Sequence, residues 1–348
     1  MTLYSPLPDI QFQELDIHHY IFDNPRYPSE PEAPALVDGP SGRVITRGEL
    51  TDQAKRLSHA LIRDYAWKDG DVASLFLPNS TAYAPIFFGI LGAGGIVTTS
   101  NNNYTSQELT HQLGHSDAKI LFTSSDLLPI ALESARAVGI PTSRIILTEA
   151  PGHDQTLPRG SRSLEDVITS ISSFPEASQW PRKLTEEQVR SRTALIAYSS
   201  GTSGMPKGIE LTHWNITCNI QQYIAFEGPV PKNDVWIEFL PLYHIYGLIT
   251  SLFSALTLHI PMVVMPRFSM VPLLEAIVKY RVTFMHVVPP IVLAFAKHPD
   301  VGQYDLSRVR GMMSAAAPLD AELGEAVSTR TGIQVRQVYG MSETAPLT

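Results

Sequence analysis

Short apolar segments alternate with amphipathic ones along most of this chain. Segments 71–77 and 282–288 are mostly apolar, and they are too short for buried helices, so they predict strands buried on both faces. Between such runs, apolar side chains recur at helical spacing, as at Leu50, Leu57 and Leu61. Strands that alternate with helices in this way indicate an α/β fold.

Two of the predicted helices begin with an explicit capping signal. Thr46 with Glu49, and Thr105 with Glu108, have the spacing at which a hydroxyl and a carboxylate each bond the backbone N–H of the other residue. The other predicted strands are 119–123, 144–148, 194–198, 235–240, 262–265, 311–315 and 334–338, and the other predicted helices are 82–91, 215–226, 271–280, 291–297 and 321–330.

The strands fall into two groups, so we expect two packed, doubly wound sheet subdomains. Subdomain A covers 71–228, and subdomain B combines 20–70 with 229–348 and is cut short by the chain end. A stretch rich in Ser, Pro and Gly, 152–181, predicts a long surface excursion. Ligands of such sheets bind at the carboxyl ends of the strands. Four loops that follow predicted strands are therefore expected to share one cleft: 199–208, 241–247, 315–318 and 339–343.

Composition narrows the functional classes. The 348 residues carry a net charge of −8, which disfavours nucleic-acid binding because no basic stripe is present. The single cysteine, Cys218, cannot form an internal disulfide, and no Cys/His spacing predicts a zinc site. The first twenty residues lack the charged and apolar regions of a signal peptide, and no apolar run is long enough for a membrane span.

The segment Tyr198-Ser-Ser-Gly-Thr-Ser-Gly-Met-Pro-Lys-Gly208 predicts a phosphate-binding loop. Small residues let the backbone close around an anion, hydroxyls and N–H groups donate to it, and Lys207 supplies a point charge. The loop is not a Walker A motif, because Pro206 stands where the second glycine would be.

Four blocks together carry a family resemblance. The phosphate loop, then Pro-Leu-Tyr-His-Ile-Tyr-Gly at 241–247, Ser-Ala-Ala-Ala-Pro-Leu at 314–319, and Gln-Val-Tyr-Gly-Met-Ser-Glu-Thr at 337–344 resemble, in order, the signatures of AMP-forming adenylating enzymes. The wording is most similar to that of 4-coumarate–CoA ligases. The resemblance runs from about residue 34 to the last residue.

The resemblance implies a two-step ligase. A carboxylate attacks the α-phosphorus of ATP to give acyl-AMP and pyrophosphate, and the thiol of coenzyme A then displaces AMP. It implies ATP/AMP, Mg²⁺ and coenzyme A as cofactors, and an aromatic or medium-chain acid as substrate. Two alternatives remain: an adenylation domain that serves a carrier protein, and a non-catalytic nucleotide- or acyl-binding module.

The same resemblance assigns roles to individual residues. His244, Lys207, Ser342 and Glu343 are expected to be catalytic, with Glu343 binding Mg²⁺ and Ser342 donating to the α-phosphate. Arg267 is expected near the phosphates of coenzyme A, although a solvated surface arginine is as reasonable. The nucleotide-binding residues are expected to be Ser199, Ser200, Gly201, Thr202, Ser203, Gly204, Lys207, Ala317, Gln337, Val338, Tyr339, Gly340 and Ser342, and the acid-binding residues His244, Tyr246, Ala315, Ala317 and Val338.

Departures from the family pattern refine the expectation. Ser342 stands where threonine is more common, and Asn103 where proline is usual. Ala315 and Val338 each replace a common glycine, so we expect an acid pocket narrower or shorter than that of a long-chain fatty-acyl ligase. Simple core packing is nearly as reasonable an explanation of Tyr246 as contact with the acid.

The chain ends at Thr348, before the family's ribose-binding aspartate, hinge arginine and small C-terminal domain with its catalytic lysine. We therefore expect a truncated N-terminal portion that turns over slowly or not at all but retains weak ATP or AMP binding. A cytoplasmic location is expected, and a peroxisomal one stays open for a longer parent chain.

Overall fold

A computed structural model describes residues 9–28, 30–148, 158–174, 180–199 and 206–348. Its strands are β1 (Pro34–Asp38), β2 (Val44–Thr46), β3 (Val72–Phe76), β4 (Ile96–Thr99), β5 (Ala118–Thr123), β6 (Ile145–Leu147), β7 (Arg162–Ser163), β8 (Thr193–Ser199), β9 (Lys207–Thr212), β10 (Trp236–Glu238), β11 (Met262–Val264), β12 (Phe284–Val287), β13 (Gly311–Ser314) and β14 (Gln334–Gln337).

Helices occupy most connections between these strands. They are α1 (Ile17–Phe22), α2 (Arg47–Asp64), α3 (Tyr83–Gly92), α4 (Ser106–His115), α5 (Leu128–Ala137), α6 (Leu164–Thr169), α7 (Glu186–Ser191), α8 (His213–Glu227), α9 (Ser254–Thr257), α10 (Met270–Tyr280), α11 (Pro289–Lys297) and α12 (Ala321–Thr331). A π-helix spans Tyr246–Phe253, and short 3₁₀ turns span Thr142–Arg144, Pro299–Gln303 and Ser342–Thr344.

The strands form two seven-stranded sheets, which confirms the predicted α/β class. The first sheet has the order β7-β6-β5-β3-β4-β8-β9, and the second has the order β14-β13-β12-β10-β11-β1-β2. Pairing is parallel except where β9 and β2 add antiparallel edges. The predicted subdomain boundaries remain a prediction.

Apolar side chains fill both faces of the sheets, as the continuous apolar runs require. On β10, Trp236 belongs to one buried cluster and Ile237 to another, because successive side chains point to opposite faces. α2 packs closely on α3, since a Cβ at Gly89 would lie 2.9 Å from the Leu57 side chain. Both predicted capping boxes, at Thr46 and Thr105, are formed.

The structure adds elements that the hydrophobic pattern did not predict. These elements include β1, β2, β4 and β9. Within the predicted surface excursion, β7 and α6 form, and α6 begins with a capping box at Ser163 and buries Leu164 and Val167. That part of the expectation was wrong, because the Ser- and Gly-rich composition hid a short amphipathic helix.

Cys218 is half-buried on α8, as expected of a small helical residue, and burial raises the pKa of its thiol to about 11. Among the described residues, none of the helices combines the length and apolar character that crossing a bilayer demands.

Candidate functional site

A cleft of about 650 Å³ lies where the carboxyl ends of strands from both sheets meet. All four predicted loops contribute to it, so the expectation of one shared cleft is confirmed geometrically. Its lining residues are Thr99, Asn101, Tyr104, Glu108, Tyr198, Ser199, Pro206, Tyr243, His244, Ile245, Tyr246, Ala315, Ala316, Gly340, Met341, Ser342, Pro346 and Leu347.

A second cavity, of about 520 Å³, lies at the amino ends of β3, β4 and β8. Trp67 and Trp180 are among its walls. It contains none of the residues predicted for function, whereas the cleft contains several of them. The cleft, and not the second cavity, is therefore the candidate functional site.

Asn79, in the loop after β3, and Thr99, at the end of β4, hold the 241–247 block in place. The Asn79 side-chain amide donates to Leu240 O at 2.7 Å, and its oxygen accepts from Leu242 N at 2.8 Å. Thr99 Oγ1 donates to Tyr243 O at 2.8 Å. Sequence reasoning missed Asn79 and Thr99, because their partners lie more than 140 residues away along the chain.

His244 lines the cleft, and one hydrogen bond fixes the orientation of its ring. Its Nδ1 accepts a hydrogen bond from Tyr246 N at 3.2 Å, which assigns the proton of the neutral ring to Nε2. Desolvation by the surrounding protein lowers the pKa of the ring, although part of the side chain is exposed. At neutral pH the ring is therefore an uncharged donor that can orient a carboxylate.

Tyr246 is buried to 3% exposure, and its hydroxyl donates to Met313 O at 2.6 Å. Tyr246 belongs to the core, as one interpretation of the sequence expected, and it also lines the cleft, while its contact with the acid stays a prediction. Gly247 must be glycine, because a Cβ there would lie 2.9 Å from Pro241 O.

The base of the phosphate loop is a short antiparallel ladder. Ser199 pairs with Lys207, and Tyr198 pairs with Gly208. The Tyr198 hydroxyl lies 2.7 Å from His115 Nδ1. Lys207 is exposed beside the loop. The predicted phosphate ligands Ser200, Gly201, Thr202, Ser203 and Gly204 lie outside the described residues.

The Ala315–Ala317 turn presents only part of the predicted surface. Ala315 and Ala316 line the cleft, and Ala317 is exposed without lining it. Ala316 adopts φ 71, a left-handed conformation that is costly for a residue with a Cβ.

Some residues of the 337–344 block line the cleft, and others are exposed to solvent. Gly340 and Ser342 line the cleft, whereas Tyr339 is 66% exposed and Glu343 is also exposed. A Cβ at Gly340 would overlap the carbonyl oxygen of Pro346.

Two side chains fix the segments around this block. Asn219 on α8 donates to Thr344 O at 3.2 Å and to Leu347 O at 2.7 Å. Gln337 is exposed and accepts from Leu319 N at 3.3 Å. Val338 is half-buried, and its N–H donates to Ser314 O at 3.0 Å. Neither Gln337 nor Val338 lines the cleft.

Arg267 is exposed just beyond β11 and is not among the residues that line the cleft. The neighbouring Phe268 packs against Phe239 with ring centroids 5.8 Å apart. The contact of Arg267 with coenzyme A stays a prediction.

Residues 26–348 match the family described as AMP-binding enzyme. The chain belongs to this family. It is 33% identical over 348 residues to 4-coumarate–CoA ligase 3 of Arabidopsis thaliana, covering 99% of this chain and 59% of that protein. It is 35% identical over 352 residues to 4-coumarate–CoA ligase 1 of Petroselinum crispum, covering 99% of this chain and 60% of that protein.

Solved structures share the fold of this chain. The anthranilate CoA ligase AuaEII in complex with anthranoyl-AMP superposes with a TM-score of 0.84 at 22% identity, covering 97% of this chain and 62% of that one. A red-emitting luciferase from Phrixothrix hirtus gives a TM-score of 0.83 at 23% identity, covering 98% and 80% respectively. The chain thus spans about three fifths of the length of the plant relatives it matches.

Proposed function

We propose that this AMP-binding chain carries the acid-activating site of a ligase that joins a carboxylic acid to coenzyme A through an acyl-AMP. The observation that carries the proposal is the convergence of Ser199, His244, Ala315 and Ser342 on one cleft at the strand ends. Relatives named as 4-coumarate–CoA ligases support the reaction class.

Each residue of the site is proposed to bind a different part of the reactants. Ser199 and Lys207 place the two ends of the phosphate loop beside the cleft, where hydroxyl and ammonium groups would meet the pyrophosphate end of ATP. The neutral His244 ring keeps its proton on Nε2 and would donate it to orient the attacking carboxylate. Ser342 lies in the same cleft and would donate to the α-phosphate.

Tyr339 is the aromatic residue that the family resemblance assigns to the nucleotide base. Tyr339 is largely exposed and sits next to Gly340 at the cleft wall, so its face is available for stacking on adenine. The Ala317 and Gln337 positions would border the base, and Arg267 would serve coenzyme A only from outside the cleft.

Mg²⁺ fits the site as a partner of the nucleotide. Among the described residues, no group of three or more His, Cys, Asp or Glu could hold a metal by itself. Glu343 is an exposed carboxylate in the turn that follows Gly340. Mg²⁺ commonly uses one or two carboxylates together with phosphate oxygens and waters, and it neutralises developing phosphate charge. Glu343 would supply that one carboxylate.

The acid is proposed to be aromatic or of medium length. Ala315 is buried to 3% exposure at the cleft wall, where its methyl group occupies space that a glycine would leave open. Val338 does not line the cleft, so only Ala315 supports a narrowed pocket. A narrow pocket disfavours a long, flexible acyl chain.

An acid panel tests the function. A longer parent protein that contains this chain is incubated with ATP, Mg²⁺, coenzyme A and single acids from acetate to palmitate and from benzoate to cinnamates, and pyrophosphate and acyl-CoA are measured together. We expect both products with aromatic or medium-chain acids and a loss of both in His244→Ala. Pyrophosphate without acyl-CoA would indicate a different thiol acceptor, and efficient use of palmitate would contradict the narrow pocket.

A further inference from the structure

Two buried polar residues lie behind Tyr246, on the side of its ring away from the cleft. The Tyr246 and His286 rings are in edge contact, with centroids 5.7 Å apart, and His286 does not line the cleft. Glu238 occupies the last position of β10. Both Glu238 and His286 are 0% exposed.

The sheet register brings these two side chains to one face. Trp236 pairs with Phe284 and Ile237 with Met285 on the neighbouring parallel strands β10 and β12. The next residue on each strand is Glu238 and His286. Paired residues of parallel strands share a face, so the carboxyl and the imidazole point to the same side, where Tyr246 also packs.

Each of the two residues has one hydrogen bond and lacks another. Glu238 Oε1 accepts from Leu240 N at 2.7 Å, and Oε2 has no partner. His286 Nε2 lies 2.9 Å from the Tyr223 hydroxyl, and Nδ1 has no partner. Buried polar atoms without partners each cost about 1–3 kcal/mol, so folded proteins keep few of them.

Ser251, on the π-helix that begins at Tyr246, leaves Glu238 Oε2 without a hydrogen-bond partner. Its hydroxyl lies near the Glu238 carboxyl and holds the pKa of that group back, but it makes no hydrogen bond of acceptable geometry. The nearby hydroxyl of Thr250 on the same helix is also buried without a partner. The buried polar atoms without partners near Tyr246 therefore come from two strands, β10 and β12, and from the π-helix.

Both residues are uncharged at neutral pH. Burial raises the pKa of Glu238 to about 8 and lowers the pKa of His286 to about 3. Because Oε1 accepts a hydrogen bond, the carboxyl proton belongs on Oε2. We assign the buried Tyr223 hydroxyl as the donor to His286 Nε2, which places the ring proton on Nδ1. The two atoms without partners are then both donors.

We propose that Glu238 and His286 recognise an acceptor oxygen at the end of the acid substrate far from its carboxylate. This inference rests on the proposed function, since it places the acid in the cleft with its carboxylate at His244. One ether, carbonyl or hydroxyl oxygen has two lone pairs and can accept from both donors. The acid reaches them when the Tyr246 ring moves aside and its hydroxyl leaves Met313 O.

Two acyl-AMP analogues that differ in one group provide the probes. Sulfamoyl adenosines carrying 4-methoxycinnamoyl and 4-ethylcinnamoyl groups have nearly the same shape, but only the first has a terminal acceptor oxygen. Calorimetric titration measures Kd for each with the chain. We expect the methoxy analogue to bind about tenfold more tightly than the ethyl analogue, since a site built to hydrogen-bond a group rejects its isostere.

Variants assign the preference to Glu238. In Glu238→Met we expect the ratio of the two Kd values to fall to about threefold or less. Glu238→Gln retains an acceptor for Leu240 N and a donor for the ligand, so it should keep the preference. Glu275→Met, at an exposed position on α10, is the matched control and should not change the ratio.

The outcomes separate the inference from the function. Equal binding of the two analogues by the unaltered chain overturns the inference without any variant. A Glu238→Met variant that weakens both analogues equally assigns Glu238 a purely structural role and also overturns it. If Glu238→Met does not fold, loss of the preference in a folded Glu238→Gln is decisive against it. A folded chain that binds neither analogue overturns the proposed function itself.

Discussion

The Tyr198 hydroxyl lies 2.7 Å from His115 Nδ1, and the two rings meet edge to face. This contact joins the end of α4 to the strand from which the phosphate loop departs. Gly208 makes it feasible, because a Cβ at that position would press on both rings, at 3.3 Å from Tyr198 and 3.4 Å from His115. The contact between Tyr198 and His115 thus supports the strand at the base of the phosphate loop.

Removing the imidazole is predicted to weaken nucleotide binding. In His115→Ala the Tyr198 phenol loses its hydrogen bond to the imidazole and the Ser199–Lys207 pair is less firmly placed, so we expect ATP affinity to fall about threefold to tenfold, as measured by calorimetry. The contact is exposed, which keeps the effect modest. His111→Ala is the control, since His111 stacks on His115 without contacting Tyr198. Equal loss of affinity in both variants would assign the effect to α4 as a whole.

The left-handed backbone at Ala316 is predicted to be a stability cost. Its φ of 71 is strained for alanine and free for glycine. We expect Ala316→Gly to raise the free energy of unfolding by about 0.5–1 kcal/mol in urea titrations, after the entropy cost of glycine is subtracted. Ala317→Gly, which is not at positive φ, should instead be neutral or destabilising. Destabilisation by Ala316→Gly would show that the turn is not strained.

Gly340 is predicted to be irreplaceable even by alanine. The new methyl group would overlap Pro346 O, and the 340–348 segment that walls the cleft would have to move. We expect Gly340→Ala to lower the free energy of unfolding by about 2 kcal/mol and to abolish ATP binding. Gly324→Ala in the middle of α12 meets no such contact and should stabilise the chain by about 0.5–1 kcal/mol.

Burial of Glu238 gives the stability of the chain a pH dependence. The pKa of the carboxyl is raised from 4.5 to about 8, so the folded state holds a proton that the unfolded state releases. Its stabilising contribution is fully present below pH 4.5 and is lost as the pH rises toward 8.

Between pH 6.5 and pH 8 we expect the contribution of Glu238 to the free energy of unfolding to fall by about 2 kcal/mol, and Glu238→Gln to change the pH slope of the free energy of unfolding accordingly. Denaturation at several pH values in this range is the measurement. Glu275→Gln at an exposed site should leave the slope intact. An unchanged slope in Glu238→Gln would show that the carboxyl is ionised in the folded state.

Below pH 6.5 buried histidines act in the opposite direction. Burial lowers the pKa of His18 and His286 to about 3 and that of His213 to about 4, so protons must be forced onto the folded state as the solution is acidified. Stability is therefore expected to be greatest near neutral pH.

The sequence alone predicted the elements with strong periodicity and the loops with distinctive chemistry. The four blocks could be placed because each lies directly after an apolar strand, as with Ala315 after β13. The side chains that hold these loops in place could not be predicted from the sequence. Asn79, Thr99 and Asn219 each make ordinary amide or hydroxyl contacts to distant backbone, and nothing in their neighbours along the chain marks them.

The partition of site residues between cleft and surface was likewise beyond the sequence. Ala315 and Ala317 are two residues apart, yet the left-handed turn at Ala316 places one in the cleft wall and the other in solvent. The polar pair of Glu238 and His286 was hidden inside runs that the apolar pattern had explained as strands. Only the pairing of β10 with β12 brings the two residues together.

Binding of an acyl-AMP analogue is the most direct test of the central claim, that the cleft between the two sheets holds an acid and a nucleotide together. The chain is titrated with 4-methoxycinnamoyl sulfamoyl adenosine in a calorimeter, alongside Gly340→Ala and Gly324→Ala. The account predicts one site per chain, with binding lost in Gly340→Ala and retained in Gly324→Ala. A folded chain that gives no binding, or binding that survives Gly340→Ala unchanged, would contradict it.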